Sequence, residues 1–126
     1  MSKLTENAIS LLGTSTVDLQ AADPKSVAYT VPTGKKAIVT HVIIRNPTAS
    51  LVGGTDFDIG SGANADTWVQ TNDLSAMTAT TDYKVITSLT KYTIEVAAAA
   101  FGILPVTGAT ADAQATMDVF GYEMDA

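Results

Sequence analysis

The sequence predicts an all-β domain, an antiparallel β-sandwich of jelly-roll type with seven to eight strands. Three observations carry that expectation. Apolar and polar residues alternate with a period of two at several places, as in half-buried strands. Turn-forming residues recur roughly every 8–12 positions, the spacing of sandwiches and jelly rolls. Charge is sparse, at 16% Asp, Glu, Lys and Arg against 46% apolar residues, which argues for a packed chain and against disorder. The 126 residues fit one domain spanning 1–126. A chain of this size buries roughly two-thirds of the surface its unfolded form exposes, so its core requires neither metal nor disulfide.

The elements follow in order. Residues 1–7 are polar and are expected to form an arm that orders against a neighbouring subunit. AISLLGTSTVDL at 8–19 and VAYTV at 27–31 give the first two strands. KAIVTHVIIRN differs because it is apolar on both faces, with Ile38, Val42 and Ile44 on one and Ala37, Val39 and Ile43 on the other. A strand covered on both sides lies in the middle of a sheet or against a partner. In TDFDIG, Phe57 and Ile59 point one way and Asp56 and Asp58 the other. YKVITS at 83–88 and KYTIEV at 91–96 follow, the latter alternating Tyr92, Ile94 and Val96 with Thr93 and Glu95. FGILPV at 101–106 carries Pro105, which suits an edge or a bulge. In ATMDVFGY at 115–122, Met117 and Val119 share a face opposite Thr116, Asp118 and Phe120.

Asp23-Pro24, Pro32-Thr33-Gly34, Asn46-Pro47, Gly53-Gly54, Gly60-Ser61-Gly62 and Thr107-Gly108 fall between these runs. Glycine supplies positive φ and proline presets φ, so each marks a turn. One helical turn, DLSAM capped by Asn72, is expected within the otherwise unpatterned stretch 63–83. The Ala-rich EVAAAAFG reads as a strand end and a loop, because strand patterns flank it.

Charge excludes some functions. Seven basic and thirteen acidic residues leave a net charge of −6, and only Lys35 and Lys36 are adjacent. Phosphate backbones and anionic bilayers attract cationic faces, so neither nucleic acid nor a membrane is expected as a partner. The absence of cysteine removes thiolate metal sites and cysteine nucleophiles. No secretory-signal pattern opens MSKLTENAISLL, and the longest apolar run, at 96–106, is too short for a membrane helix and broken by Gly102 and Pro105. The chain is therefore expected to be soluble.

Each catalytic pattern fails on its own requirements. His41 lies mid-strand, with no Gly-x-Ser-x-Gly elbow to supply a nucleophile, and reads as structural or interfacial. Asp56, Asp58, Asn64 and Asp66 suggest a calcium loop, but the sixth position counted from Asp56 is Ser61 and the twelfth is Thr67, where glycine and glutamate are needed. Gly53-Gly54 and Gly60-x-Gly62 are not followed by the Gly-Lys-Ser/Thr of a phosphate loop. Trp68 reads as a plug in the core or between subunits, with sugar stacking as the alternative use. No catalytic, cofactor-binding or metal-binding residue is assigned, and a non-enzymatic protein without cofactor is expected.

VPTGKKAIVTHVIIRNPTASLVGGTDFDIG at 31–60, followed by Trp68, TDYKVI and TMDVFGY, resembles small β-sandwich virion proteins of tailed bacteriophages and prophages. The turn VPTGK leading into a strand that ends in RNP is similar to segments of head-decoration and tail-associated proteins. The resemblance covers residues 27–122 and rests on the grammar of strands and turns. It implies a repeated capsid decoration subunit in the virion, in contact with the major capsid protein or other virion proteins and often trimeric. A tail or neck accessory protein, or a carbohydrate-binding or adhesin module, is the alternative. It transfers no named binding residue.

Overall fold

The computed structural model describes residues 8–88 and 94–126. They form nine strands: β1 (Ser10–Asp18), β2 (Ser26–Thr30), β3 (Lys35–Arg45), β4 (Asp56–Gly60), β5 (Val69–Asn72), β6 (Tyr83–Thr87), β7 (Ile94–Glu95), β8 (Ala100–Thr107) and β9 (Gln114–Asp125). The expected arm at 1–7 lies outside the described residues.

Two antiparallel sheets result, one ordered β1-β9-β3-β6 with β7 also on β3, the other β2-β8-β4-β5. β6 runs beside His41–Arg45 and β7 beside Ala37–Ile38, so the two share one position along β3. The chain then occupies eight positions: first pairs with last, second with seventh, third with sixth, and fourth with fifth. That is a long antiparallel hairpin rolled on itself, the jelly roll the sequence predicts. The one added strand is β5, in the stretch expected to hold a helical turn, while β7 is all that is described as strand of the run expected at 91–96.

Among the described residues there is no helix. In place of a turn capped by Asn72, the Asp73 carboxylate accepts from the Ser75 backbone N–H (2.9 Å) and Met77 N–H donates to Leu74 O (3.0 Å). The Asn72 amide instead donates to Phe57 O and Val69 O, fastening β5 to β4.

The main correction concerns β3. Its register against β9 shifts between Val39 and His41, leaving Thr40 as an extra residue. A one-residue bulge reverses the facing of everything beyond it. Ala37 and Val39 before the bulge, and Val42 and Ile44 after it, therefore all point into the core. Ile38, His41 and Ile43 point outward, so the expected grouping of Ile38 with Val42 and Ile44 is wrong. Gly121 of β9 sits where this bulge approaches, and a Cβ there would collide with the Ile38 carbonyl oxygen. β3 is nevertheless interior, with β9 on one side and β6 and β7 on the other, as its two apolar faces predict.

The core lies between the sheets. Phe57, Ile59, Phe101 and Ile103 come from one sheet, and Val17, Val42, Ile44, Met117 and Val119 from the other. Leu51, Trp68 and Leu74 close it from the loops. Pro105 falls at a bulge, as expected: β8 shifts register against β4 where Phe57 faces Pro105 and Asp56 faces Thr107.

Candidate functional site

Trp68 is only 8% exposed, and its indole Nε1–H donates to Val39 O at 3.1 Å. Its ring meets Phe101 edge-on, centroids 5.6 Å apart. This is the core plug the sequence predicts, and the ring offers no open platform for a sugar.

His41 is half-buried on the outer face of β3 and stacks on Phe120, with centroids 4.6 Å apart and planes 4° from parallel. Its Nδ1 lies 3.0 Å from Thr40 Oγ1, so the bulge residue orients the imidazole.

Asp56 and Asp58 stand on the outer face of β4, as expected. Asp58 accepts the Thr71 N–H at 3.0 Å. The Asp56 oxygen Oδ1 is enclosed without a hydrogen-bond partner. Loss of solvent first, and repulsion from Asp58 second, push the Asp56 carboxyl above the usual carboxylate range. Asp66 is exposed on the following loop. Among the described residues, no three acidic or imidazole side chains gather to hold a metal.

Sequence alone missed a polar cluster at one end of the sandwich. Glu95 on β7 and Glu123 on β9 both lie opposite Ala37, on the inward side. Tyr29 OH donates to Glu123 Oε2 at 2.7 Å, linking the two sheets. Burial, and then the neighbouring carboxylate, push the Tyr29 phenol well above its usual range. Glu95 is 2% exposed and its Oε2 has no hydrogen-bond partner. The alternation in the sequence gives no hint that Ile94 (53% exposed) faces out while Glu95 faces in.

The outer face of the β1-β9-β3-β6 sheet is the most distinctive surface. Register places Ile94, Ile38 and Tyr122 in one row, and Thr87, His41, Phe120 and Leu11 in the next. The third row runs Val85, Ile43, Asp118 and Thr14. There the surface turns polar: Arg45 Nε donates to Asp118 Oδ2 and Thr14 Oγ1 to Asp118 Oδ1, at 2.7 and 2.6 Å. Burial alone would raise the Asp118 carboxyl, but the hydrogen bonds from Arg45 and Thr14 outweigh it and hold the group below the usual carboxylate range. With strands about 4.8 Å apart and residues about 3.3 Å along each, the apolar part covers roughly 200–300 Å². It is an apolar centre with a polar margin.

A groove of about 520 Å³ runs between the edge strands β5 and β6, lined by Trp68, Val69, Asn72, Lys84, Ile86 and Thr87 among others. Its lining residues include no histidine and no carboxylate.

Comparison with family models, with curated proteins and with solved structures found no match. The class defined by fold and surface is a jelly-roll β-sandwich with one apolar outer sheet face. No helix among the described residues is long and apolar enough to cross a membrane.

Proposed function

We propose that this chain is a non-catalytic structural subunit of a bacteriophage particle, a capsid decoration protein that stabilises the shell by covering part of it. A tail or neck accessory subunit would work in the same manner. The observation that carries the reading is the outer face of β1-β9-β3-β6, where Leu11, Ile38, Ile43, Val85, Ile94 and Phe120 adjoin. Leu11, Val85 and Ile94 are 52%, 49% and 53% exposed in the isolated chain. A contiguous apolar patch rimmed by polar side chains supports a protein-contacting role, at a size that free monomers also reach. Its partner is protein, the major capsid protein or a neighbouring virion protein, because the net charge of −6 repels nucleic acid.

The resemblance of residues 27–122 to small phage virion proteins supports the particle as the setting. The jelly roll is compatible with it but is shared with lectins and enzymes, so fold alone decides nothing. The sugar-binding alternative loses its stacking platform, since Trp68 is enclosed.

The test is co-sedimentation of purified protein with shells of the encoding phage stripped of this chain. Wild type should pellet with the shells, and the Leu11→Glu/Ile94→Glu double variant should remain in solution. Wild type that never pellets would overturn the proposal.

A further inference from the structure

The two sheets of a jelly roll leave four edges, here β1, β2, β5 and the position that β6 shares with the two-residue β7. Exposed edges invite pairing with other chains, and proteins blunt them with bulges, charges or cover. Three of the four are blunted. β1 and β2 lie against each other, with Gly13 so close to Ala28 that a side chain there would strike the Ala28 carbonyl. β5 is four residues long, shifts register against β4, and holds Thr71 at φ 59°.

β6 carries neither a bulge nor, among the described residues, a covering strand, and a single lysine is its only blunting device. It pairs with β3 through five consecutive residues without a shift, and it contains neither proline nor glycine. Val85, Ile86 and Thr87 are β-branched. Its one charge, Lys84, sits on the inward row opposite Ile44 and donates to Asp73 O at 2.8 Å, so it is tied back from the edge. Among the described residues no strand pairs with its other side.

We propose that β6 pairs antiparallel with β6 of a second copy across a two-fold axis through Val85. The sequence of the strand selects both the partner and the register. Opposed residues must share a sheet face, so the two residue numbers must differ by an even amount. Centring on Lys84 would set two lysines opposite each other, which is unfavourable. Centring on Ile86 would carry Tyr83 past the end of the partner strand. Centring on Val85 engages all five residues: Val85 faces Val85, Lys84 faces Ile86, and Tyr83 faces Thr87. No like charges are opposed, and the contact is self-complementary, as a closed two-fold interface requires. The two outer apolar faces then join across one continuous sheet. The association is two-fold, where the resemblance to phage virion proteins implies trimers.

The test is the mass of the full chain by light scattering and sedimentation velocity across concentration. Wild type should form a dimer. Val85→Glu and Val85→Lys place like charges on the axis, and each should weaken the dimer at least about tenfold, with circular dichroism unchanged. An equimolar mixture of the two should restore it. Val85→Cys should cross-link on oxidation, whereas Val52→Cys, at an equally exposed site (54%), should not. A wild type monomeric at every concentration, a trimeric mass, charge variants that dimerise as wild type does, or a mixture that stays monomeric would each overturn the pairing. This outcome is independent of shell binding.

Discussion

The indole N–H of Trp68 donates to the carbonyl oxygen of Val39 at 3.1 Å, joining the loop that leads into β5 to the strand β3 of the opposite sheet. The acceptor lies at the residue just before the Thr40 bulge. The core plug and the irregularity that sets the facing of β3 are thus held together. Trp68→Phe keeps most of the packing but leaves a buried acceptor short of one donor, and should cost about 1–2 kcal/mol. Trp68→Ala should cost about 3–5 kcal/mol through the cavity it opens. Chemical denaturation of the three proteins checks both figures.

Deleting Thr40 should leave the facing of β3 unchanged. Val39 and His41 already lie opposite consecutive residues of β9, Gly121 and Phe120, so removing the residue between them gives a regular strand in which Val42 and Ile44 still point inward. A retained fold, at a loss of no more than about 3 kcal/mol, is expected, the range of ordinary single changes. Thr40→Ala keeps the bulge and should also retain the fold. Thermal unfolding followed by circular dichroism checks both cases.

That bulge also marks the limit of what the sequence reveals. TDFDIG and ATMDVFGY declare their faces, because Phe57, Ile59, Met117 and Val119 alternate with Asp56, Asp58, Thr116 and Asp118. KAIVTHVIIRN is apolar at nearly every position, so its pattern cannot report a change of phase, and Thr40 is no glycine or proline to signal one. β5 escapes notice because a short edge strand needs little apolar surface, and Gln70, Thr71 and Asn72 supply almost none. Glu95 points inward against its own alternation, held by the register of β7 on β3, which is a tertiary constraint. Trp68 is legible because a lone tryptophan in a weakly aromatic chain has few uses beyond packing. The outer apolar face is not legible, since it assembles from five strands and depends on the facing of β3.

Acid should act on Asp118 through linkage. Its folded-state pKa lies below the ordinary value, so its contribution is fully present above the unfolded pKa and is lost as pH falls through the folded one. Asp118→Asn should be destabilised by about 1.5–3 kcal/mol near neutrality, the scale of hydrogen bonds to a charged group. The gap from wild type should close below the ordinary carboxylate range. Denaturant midpoints measured from acid to neutral pH test the sign.

Asp56 should show the opposite dependence. Its folded-state pKa is raised, so the folded form binds the proton more tightly and wild type loses stability as pH rises through that value. Asp56→Asn removes the enclosed charge and its repulsion from Asp58. Its melting temperature should exceed that of wild type at neutral pH and converge with it in acid.

The central claim is that the outer face of β1-β9-β3-β6 is covered in the assembled particle. Hydroxyl-radical footprinting of the free protein and of native particles reads this directly, because Leu11, Ile38, Ile43, Phe120 and Tyr122 all react with the radical. Strong protection of these residues on the particle, with Val52 and Val106 still reactive, is the expected result. Equal labelling of that face in both states, or protection confined to the β2-β8-β4-β5 sheet, would contradict it.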